Sequence, residues 1–305
     1  MASVTLVESA KLSQDLLLAG VIETIVSVNP IYELLPFMPI EGNALAYNRE
    51  NTIGDSQFLS VGGTITAKNP ATFTQVTSSL TSLIGDAEIN GLIQATRSNI
   101  QDQRAAQVAS KAKSIARQYQ NIMVNGDGTG NTFQGILSLT PNSQKVSADT
   151  NGSPLSFEIL DALIDLVKDK DGQVDYMMMP FRTRRSFLAL LRTLGGASIN
   201  EVMNLPSGRS VPMYRGVPIF VNDYIPMDQV QGSTNTCTSI IAGTFDDGSG
   251  MHGISGLTAR NSSGLVVENI GAKETADETI TRLKFYCGFA NFSQLGIAVA
   301  PGITN

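Results

Sequence analysis

The chain of 305 residues has no tryptophan, one histidine (His252) and two cysteines, Cys237 and Cys287, far apart in sequence. Without a Cys-x-x-Cys pair or a second histidine, a zinc site is excluded. Spacing leaves a single Cys237–Cys287 pair open, and free, partly buried thiols, which a reducing compartment allows, are the preferred expectation. No apolar run reaches the roughly 18 residues that a membrane helix needs, and Glu8 precedes any apolar stretch at the N-terminus, so neither a membrane span nor a secretory signal is expected. Charged residues make up only 16% of the chain, with a formal net charge of −6 and a pI of about 4.9. That balance argues against a protein whose main task is neutralising phosphates. With 42% hydrophobic content the chain can bury a sizeable core, as one large domain or two smaller ones.

Catalytic signatures are equally sparse. His252 has no nucleophile elbow to serve, because Gly253-Ile254-Ser255-Gly256 places its second glycine one position early. Asp161, Asp165 and Asp169, with Asp171 just beyond, recur among leucines at helical spacing and read as a solvated helix face rather than a paired acid and base. Asp246 and Asp247 open a glycine turn. No cofactor, metal site or enzyme activity is expected.

Glycine is abundant where the chain changes character. In Asn121 to Leu137, Gly126, Gly128 and Gly130 alternate with Asp127, Thr129 and Asn131, residues that tolerate positive φ or bond their own backbone, so a preceding helix must stop here. Three ligand-binding readings fail letter by letter. Gly130 and Gly135 have phosphate-loop spacing, but Ile136 stands in place of lysine. A dinucleotide fingerprint would need glycine at Asn131 and a strand before the loop. An EF-hand begun at Asn125 would need glutamate where Ile136 stands. The turn formed by Asn125, Gly126, Asp127, Gly128, Gly130, Asn131 and Gly135 is therefore read as architectural.

Before that turn, Val108, Ala112, Ile115, Tyr119 and Ile122 recur at steps of four and three, which predicts one long amphipathic helix from Ser98 onward, after a helical region opened by Asp86 and Glu88. Five basic residues, Arg97, Arg104, Lys111, Lys113 and Arg117, face a single acid, Asp102. A solvated face and a phosphate-contacting face both fit this run. Further upstream, Phe58 to Ala67 and Ala71 to Leu80 are two β-prone runs flanking Lys68-Asn69-Pro70, which predicts a long hairpin with that tripeptide at its tip. Its two polar faces cannot sit in a core, so it should project and lie on another subunit.

Downstream, Ser156 is a candidate N-cap for a helix with Leu160, Leu163, Ile164, Leu166 and Val167 on its apolar face. Val174 to Met179 predicts a buried strand, and Phe181 to Leu194 an arginine-bearing helix ended by Gly195-Gly196. Gly216 to Val221 and Thr238 to Gly243 predict further strands, giving a mixed α/β unit. Leu283, Phe285 and Cys287 alternate with Arg282, Lys284 and Tyr286, the pattern of a half-buried strand. Leu295 to Ala300 predicts the last strand.

The helix that ends in Asn125-Gly126-Asp127-Gly128-Thr129-Gly130-Asn131, closed by Gly135-Ile136-Leu137, resembles the segment after the spine helix of tailed-phage major capsid proteins of the Hong Kong 97 type. Leu35-Pro36-Phe37 with Ala46-Tyr47-Asn48-Arg49-Glu50, Met179-Pro180, and Gly216-Val217-Pro218-Ile219-Phe220 look similar to family segments in the order the family requires. The resemblance implies an α+β fold with an N-terminal arm (1–40), an extended β-hairpin loop (41–82), a spine helix with part of a peripheral domain (83–135), an axial domain (136–265) and closing peripheral strands (266–305). It implies a structural subunit that assembles with itself into hexamers and pentamers of an icosahedral shell around double-stranded DNA, formed in the host cytoplasm with a separate scaffolding protein, a portal and, in some members, decoration proteins. Some members cross-link lysine to asparagine between subunits; Lys68 and Asn291 are the residues here, but no motif ties them together. The same fold also implies an alternative, an encapsulin-like compartment around a protein cargo. A soluble α/β enzyme with its site at the glycine loop is disfavoured by the failed motifs.

Overall fold

The computed structural model describes residues 30–97, 103–146, 148–168, 172–193, 202–206, 208, 210–262 and 264–304. Most of the expected arm, the first turn of the expected long helix, Asp169, Asp171 and the Gly195-Gly196 stop lie outside them. In chain order the elements begin with β1 (Phe37–Ile40), β2 (Ala44–Thr52), β3 (Thr72–Ser79), β4 (Thr81–Asn90), α1 (Gly91–Arg97), the long α2 (Gln103–Asn125) and α3 (Ile136–Leu139). Next come α4 (Phe157–Lys168), β5 (Tyr176–Met179), α5 (Phe181–Thr193), β6 (Val202–Asn204), β7 (Ser210–Tyr214) and β8 (Val217–Val221). The chain closes with β9 (Gln229–Gln231), β10 (Thr234–Gly243), β11 (Ile254–Ala259), β12 (Leu265–Ala272), β13 (Glu278–Asn291) and β14 (Ile297–Ile303).

Strand β13 is the axis of a five-stranded sheet. Antiparallel β4 follows one of its edges from Glu278↔Asn90 to Cys287↔Thr81, and β12 and then β11 share the other. Beyond β11 lies β1, parallel to it. Along β13 the side chains of Leu283, Phe285 and Cys287 are buried while those of Arg282, Lys284 and Tyr286 are half-buried, the alternation expected from a two-residue period. The long α2 lies across the buried face, with Val108, Ala112, Ile115, Tyr119 and Met123 in one core with Ala87, Leu283, Phe285 and Phe289. The Tyr119 ring meets Phe285 edge-on at 5.3 Å between centroids.

The expectation of a helix opened by Asp86 and Glu88 is overturned, since both lie in β4. Ala87 and Ile89 point to the core and alternate with those acids, and the ten-pair ladder to β13 fixes the segment as a strand. Helix begins only at Gly91.

The second sheet has seven strands, ordered β14-β10-β5-β8-β7-β6 with β9 on β10. Its two faces are covered differently. Tyr176, Met178, Phe220, Ile241 and Val299 face the core shared with α2, whereas Met177, Met179, Ile219 and Ile240 face Leu160, Leu163 and Phe187 of α4 and α5. With cover on both sides β5 is buried at every position, which is why its sequence is an unbroken apolar run. Ser156 caps α4 as expected, its hydroxyl accepting from the Ile159 amide at 3.3 Å.

The expected segment boundaries do not follow the sheets. Strand β14 joins β10 rather than returning beside β13, because both edges of β13 are already occupied by β4, β12 and β11. Strand β11, expected with the 136–265 unit, belongs to the five-stranded sheet.

The hairpin exists but with a different register. Strand β3 pairs with β2, from Ala44↔Ser79 to Thr52↔Thr72. The run Phe58 to Ala67 is not a strand; Gly62 (φ 82°) and Gly63 interrupt it, and glycine weakens a strand interior. The far turn lies at Ser60 to Gly63, where the Gly63 amide donates to the Ser60 carbonyl at 2.9 Å. Lys68, Asn69 and Pro70 are therefore not the tip. They sit on the returning limb, where the Asn69 carbonyl accepts from the Asp55 amide at 3.1 Å and its side chain donates to the Asp55 carboxylate.

Candidate assembly and nucleic-acid-facing surfaces

The glycine turn closes α2 onto α3. The Gly126 amide still donates to Ile122 at 2.7 Å, and the Gly135 amide donates back to the Gly126 carbonyl at 2.8 Å, so the intervening residues form a closed loop. Inside it the Asp127 carboxylate accepts from the Thr129 amide (3.0 Å) and hydroxyl (2.8 Å). Those bonds hold its carboxyl below the ordinary carboxylate range. Gly128 (φ 75°) and Gly130 (φ 63°) take the left-handed region. A Cβ on Gly135 would press against the backbone of Ile122, Met123 and Gly126. Asn125 ties the turn to the second sheet, its amide donating to the Tyr224 carbonyl at 2.8 Å. Asp127 to Asn131 are exposed, with the Asp127 carboxylate and the Thr129 hydroxyl bonded to each other inside the turn.

The basic residues of the spine do not gather into one cluster. Arg104 donates to the Thr281 hydroxyl at 3.0 Å, and Lys111 lies over Gly85 of β4, both on the flank toward the five-stranded sheet. Lys113 and Arg117 are exposed on the opposite flank, about 120–180° around the helix axis from Arg104 and Lys111 at 3.6 residues per turn. Arg117 opens onto a cleft of ≈ 480 Å³ with Gln120, Asn121, Asn222, Asp223 and Tyr224. Arg97 stands apart, at the end of α1. Helical spacing shows how far apart 104, 111, 113 and 117 fall, a signal that a count of charges misses.

The third surface is the hairpin. Its root is anchored, with Tyr47 and Arg49 donating to the Asn291 carbonyl at 2.8 and 2.6 Å and the Tyr47 ring meeting Phe292 at 5.0 Å. Its outer part is not covered. Ile53, Phe58, Val61, Ile65 and Phe73 are all exposed, Phe58 and Val61 completely. Large apolar side chains left exposed together on one projecting segment mark a candidate contact surface. In sequence the hairpin's projection follows from its polar faces, which leave these apolar residues out of account.

The cleft of ≈ 860 Å³ beside α4 is lined by Asp175, Asp246, Asp247, His252 and Ser293, among others. Four of these polar groups are engaged locally: Asp175 accepts from the Phe245 amide, Asp246 from the Gly250 amide, Asp247 from the Ser249 amide, and the Ser293 hydroxyl from the Leu295 amide. Both cysteines are free and buried. Burial pushes the Cys287 thiol up to about 12, far from the range of a reactive thiolate.

A family model described as the phage capsid family matches residues 12–252. The chain belongs to the phage capsid family. It is a structural protein with the α+β architecture expected of Hong Kong 97-like capsid proteins. Solved structures share this capsid protein's fold at low identity. One is the holo-SrpI encapsulin complex of Synechococcus elongatus PCC 7942, 18% identical, covering 90% of this chain and 86% of that one, with a TM-score of 0.70. A second is the capsid of a native GTA particle, 14% identical over 92% of this chain and 91% of that one, with a TM-score of 0.64. A third is the capsid of the cyanophage P-SCSP1u, 12% identical over 90% and 88%, with a TM-score of 0.59. No curated protein matches the capsid protein by sequence. Among its described residues no helix is long and apolar enough to cross a membrane.

Proposed function

We propose that this chain is the major capsid protein of a tailed bacteriophage of the Hong Kong 97 type, assembling with itself into the hexamers and pentamers of an icosahedral shell around double-stranded DNA. The family match over residues 12–252 carries this reading. The hairpin supports it: Phe73 of β3 and Ile53, Phe58, Val61 and Ile65 of the 53–71 loop are exposed apolar side chains, the kind of surface that a neighbouring molecule covers. In this reading the β2–β3 hairpin and its 53–71 loop reach over an adjacent subunit, the long α2 is the spine, the five-stranded sheet is the peripheral domain and the seven-stranded sheet with α4 and α5 is the axial domain. The subunit's work is geometric and non-enzymatic. The closed turn from Asn125 to Gly135 sets the angle between spine and axial domain. Lys68, Asn69 and Pro70 belong to the contact limb of the hairpin rather than to its tip. Of the five basic spine residues, Lys113 and Arg117 are those best presented for non-specific phosphate contact, while Arg104 is held by β13. A scaffolding protein, a portal and assembly in the host cytoplasm complete the proposal.

A second reading, a nanocompartment holding a protein cargo, is favoured by the likeness to the encapsulin structure at a TM-score of 0.70. One experiment separates the two. Particles purified from the native lysate are imaged by negative-stain electron microscopy and their absorbance is measured at 260 and 280 nm. Closed shells carrying nucleic acid are expected. Nucleic-acid-free shells with a co-purifying protein would establish the compartment instead, and persistent monomer with scaffold present would overturn both.

A further inference from the structure

Helices α4 and α5 lie on the same face of the seven-stranded sheet, their inner sides meeting in one core that includes Leu160, Leu163, Val167 and Phe187. Outside that core each helix bears an exposed stripe, the two of opposite charge at the same spacing, with Lys168 following the α4 stripe in the last turn. On α4 the exposed stripe is Glu158, Ala162 and Asp165; on α5 it is Arg185, Ala189 and Arg192. Both stripes step four residues and then three, so each lies along one side of its helix over about 10 Å, at 1.5 Å per residue. In each, a small alanine sits between two like charges.

None of these four charged side chains has a hydrogen bond or ion pair among the described residues, although their neighbours do. Asp161 accepts from the Tyr214 hydroxyl at 2.7 Å and pairs with Arg215 at 2.8 Å, and Arg182 donates to the Thr236 carbonyl at 2.7 Å. A solvated helix face ordinarily mixes the two signs. Helix α5 instead holds Arg182, Arg184, Arg185 and Arg192 with no acid, in a chain whose net charge is −6.

We propose that the α4 stripe of one copy docks on the α5 stripe of the next, with Glu158 and Asp165 facing Arg185 and Arg192 and the two alanines allowing the helices to approach closely. The contact joins two different patches, so it is heterologous and propagates head to tail, the kind that closes into rings. Exposed ion pairs add little net affinity; their effect is to select the partner and fix the register. The inference rests on the capsid reading, since it assigns the contact within the rings of that shell.

Three variants of the full chain test it: Glu158→Arg with Asp165→Arg, Arg185→Glu with Arg192→Glu, and all four together. All four side chains are exposed and unpartnered, so each variant should fold as the wild type does by circular dichroism. Either double reversal is expected to lower the yield of closed shells about tenfold or more, and the fourfold variant, with the charges exchanged, to restore it. In sedimentation, self-association of the wild type should weaken as salt is raised. Shells at wild-type yield from either double variant would overturn the pairing and leave the capsid reading standing. So would failure of the well-folded fourfold variant to recover. Intact shells that lose only their nucleic acid on reversal of Arg185 and Arg192 would also overturn it, assigning the α5 stripe to phosphate. If the wild type forms no shells yet self-associates in a salt-sensitive, reversal-sensitive way, the pairing survives and the capsid reading falls.

Discussion

The body around α2 and the hairpin formed by β2 and β3 use similar apolar residues to opposite ends. In the body Val108, Met123 and Leu283 have no exposed surface, whereas in the hairpin Phe58 and Val61 are as exposed as in an extended chain, at 107% and 108%. What differs is the partner. The spine stripe meets two sheets of its own chain, but the 53–71 loop meets itself through polar contacts, such as the Gln57 carboxamide accepting from the amides of Thr66 and Ala67. Folding free energy from apolar burial therefore resides in the body, and the hairpin's apolar surface is left for a contact outside the chain. Substitutions should separate the two regions cleanly.

The largest effect is expected in the body. Leu163 is fully buried between α4 and the second sheet, and Leu163→Ala should cost about 2–5 kcal/mol in urea unfolding of the unassembled chain. A loss below 1 kcal/mol, by about the same scale, would mean that the α4 layer is not part of the folded core. Next comes the turn that joins the spine to the rest. Gly135 has an ordinary extended backbone (φ −90°, ψ 177°), yet a Cβ there meets backbone atoms that cannot move aside, so Gly135→Ala should cost about 1–3 kcal/mol. Gly130 has open space around it but a φ of 63°, and Gly130→Ala should cost about 1 kcal/mol. Equal costs at the two sites would show that the loop is looser than its closure by Gly126 and Gly135 implies.

How much of this was legible from the sequence depended on whether an element's partner is local. The spine stripe, the Ser156 cap and the alternation along β13 are local patterns, and each is found where the sequence placed it. The β4 segment failed because two acids ahead of apolar residues look like a helix start, whereas its strand character comes from a ladder to residues nearly two hundred positions away. The hairpin register failed for the same reason, since β2 is joined to β3 only across the long 53–71 loop. The fate of β14 depended on which edges of β13 were already taken, a fact no single segment contains. For the surfaces, the count of basic residues on α2 was visible, but their division between two flanks needed the helix axis.

The charged rim of the five-stranded sheet gives a smaller effect, set by pH. Arg282 donates two bonds of 2.8 Å to Asp86 across β13 and β4 and holds the Asp86 carboxyl below the ordinary range. A depressed carboxyl contributes stability that is fully present above its unfolded value, about 3.9, and is lost as pH falls through the folded value. The stability difference between the wild type and Asp86→Asn should therefore be modest at neutral pH and shrink as the solution is acidified below about pH 4. A difference that stays constant to low pH would show that the pair contributes by packing rather than by charge.

The smallest effect on the unassembled chain is expected where the sequence looks most hydrophobic. Phe58→Ser and Val61→Ser remove side chains that touch nothing which folding buries, so each should change the unfolding free energy by no more than about 0.5 kcal/mol. The same pair of changes should reduce shell yield sharply, because a contact surface loses its central apolar residues and becomes costly to desolvate. Stability and assembly would then respond in opposite proportion to what Leu163→Ala produces in the body. A loss of stability comparable to that of Leu163→Ala would show that the loop folds back on its own subunit in solution, and the division between a self-sufficient body and a dependent hairpin would fail.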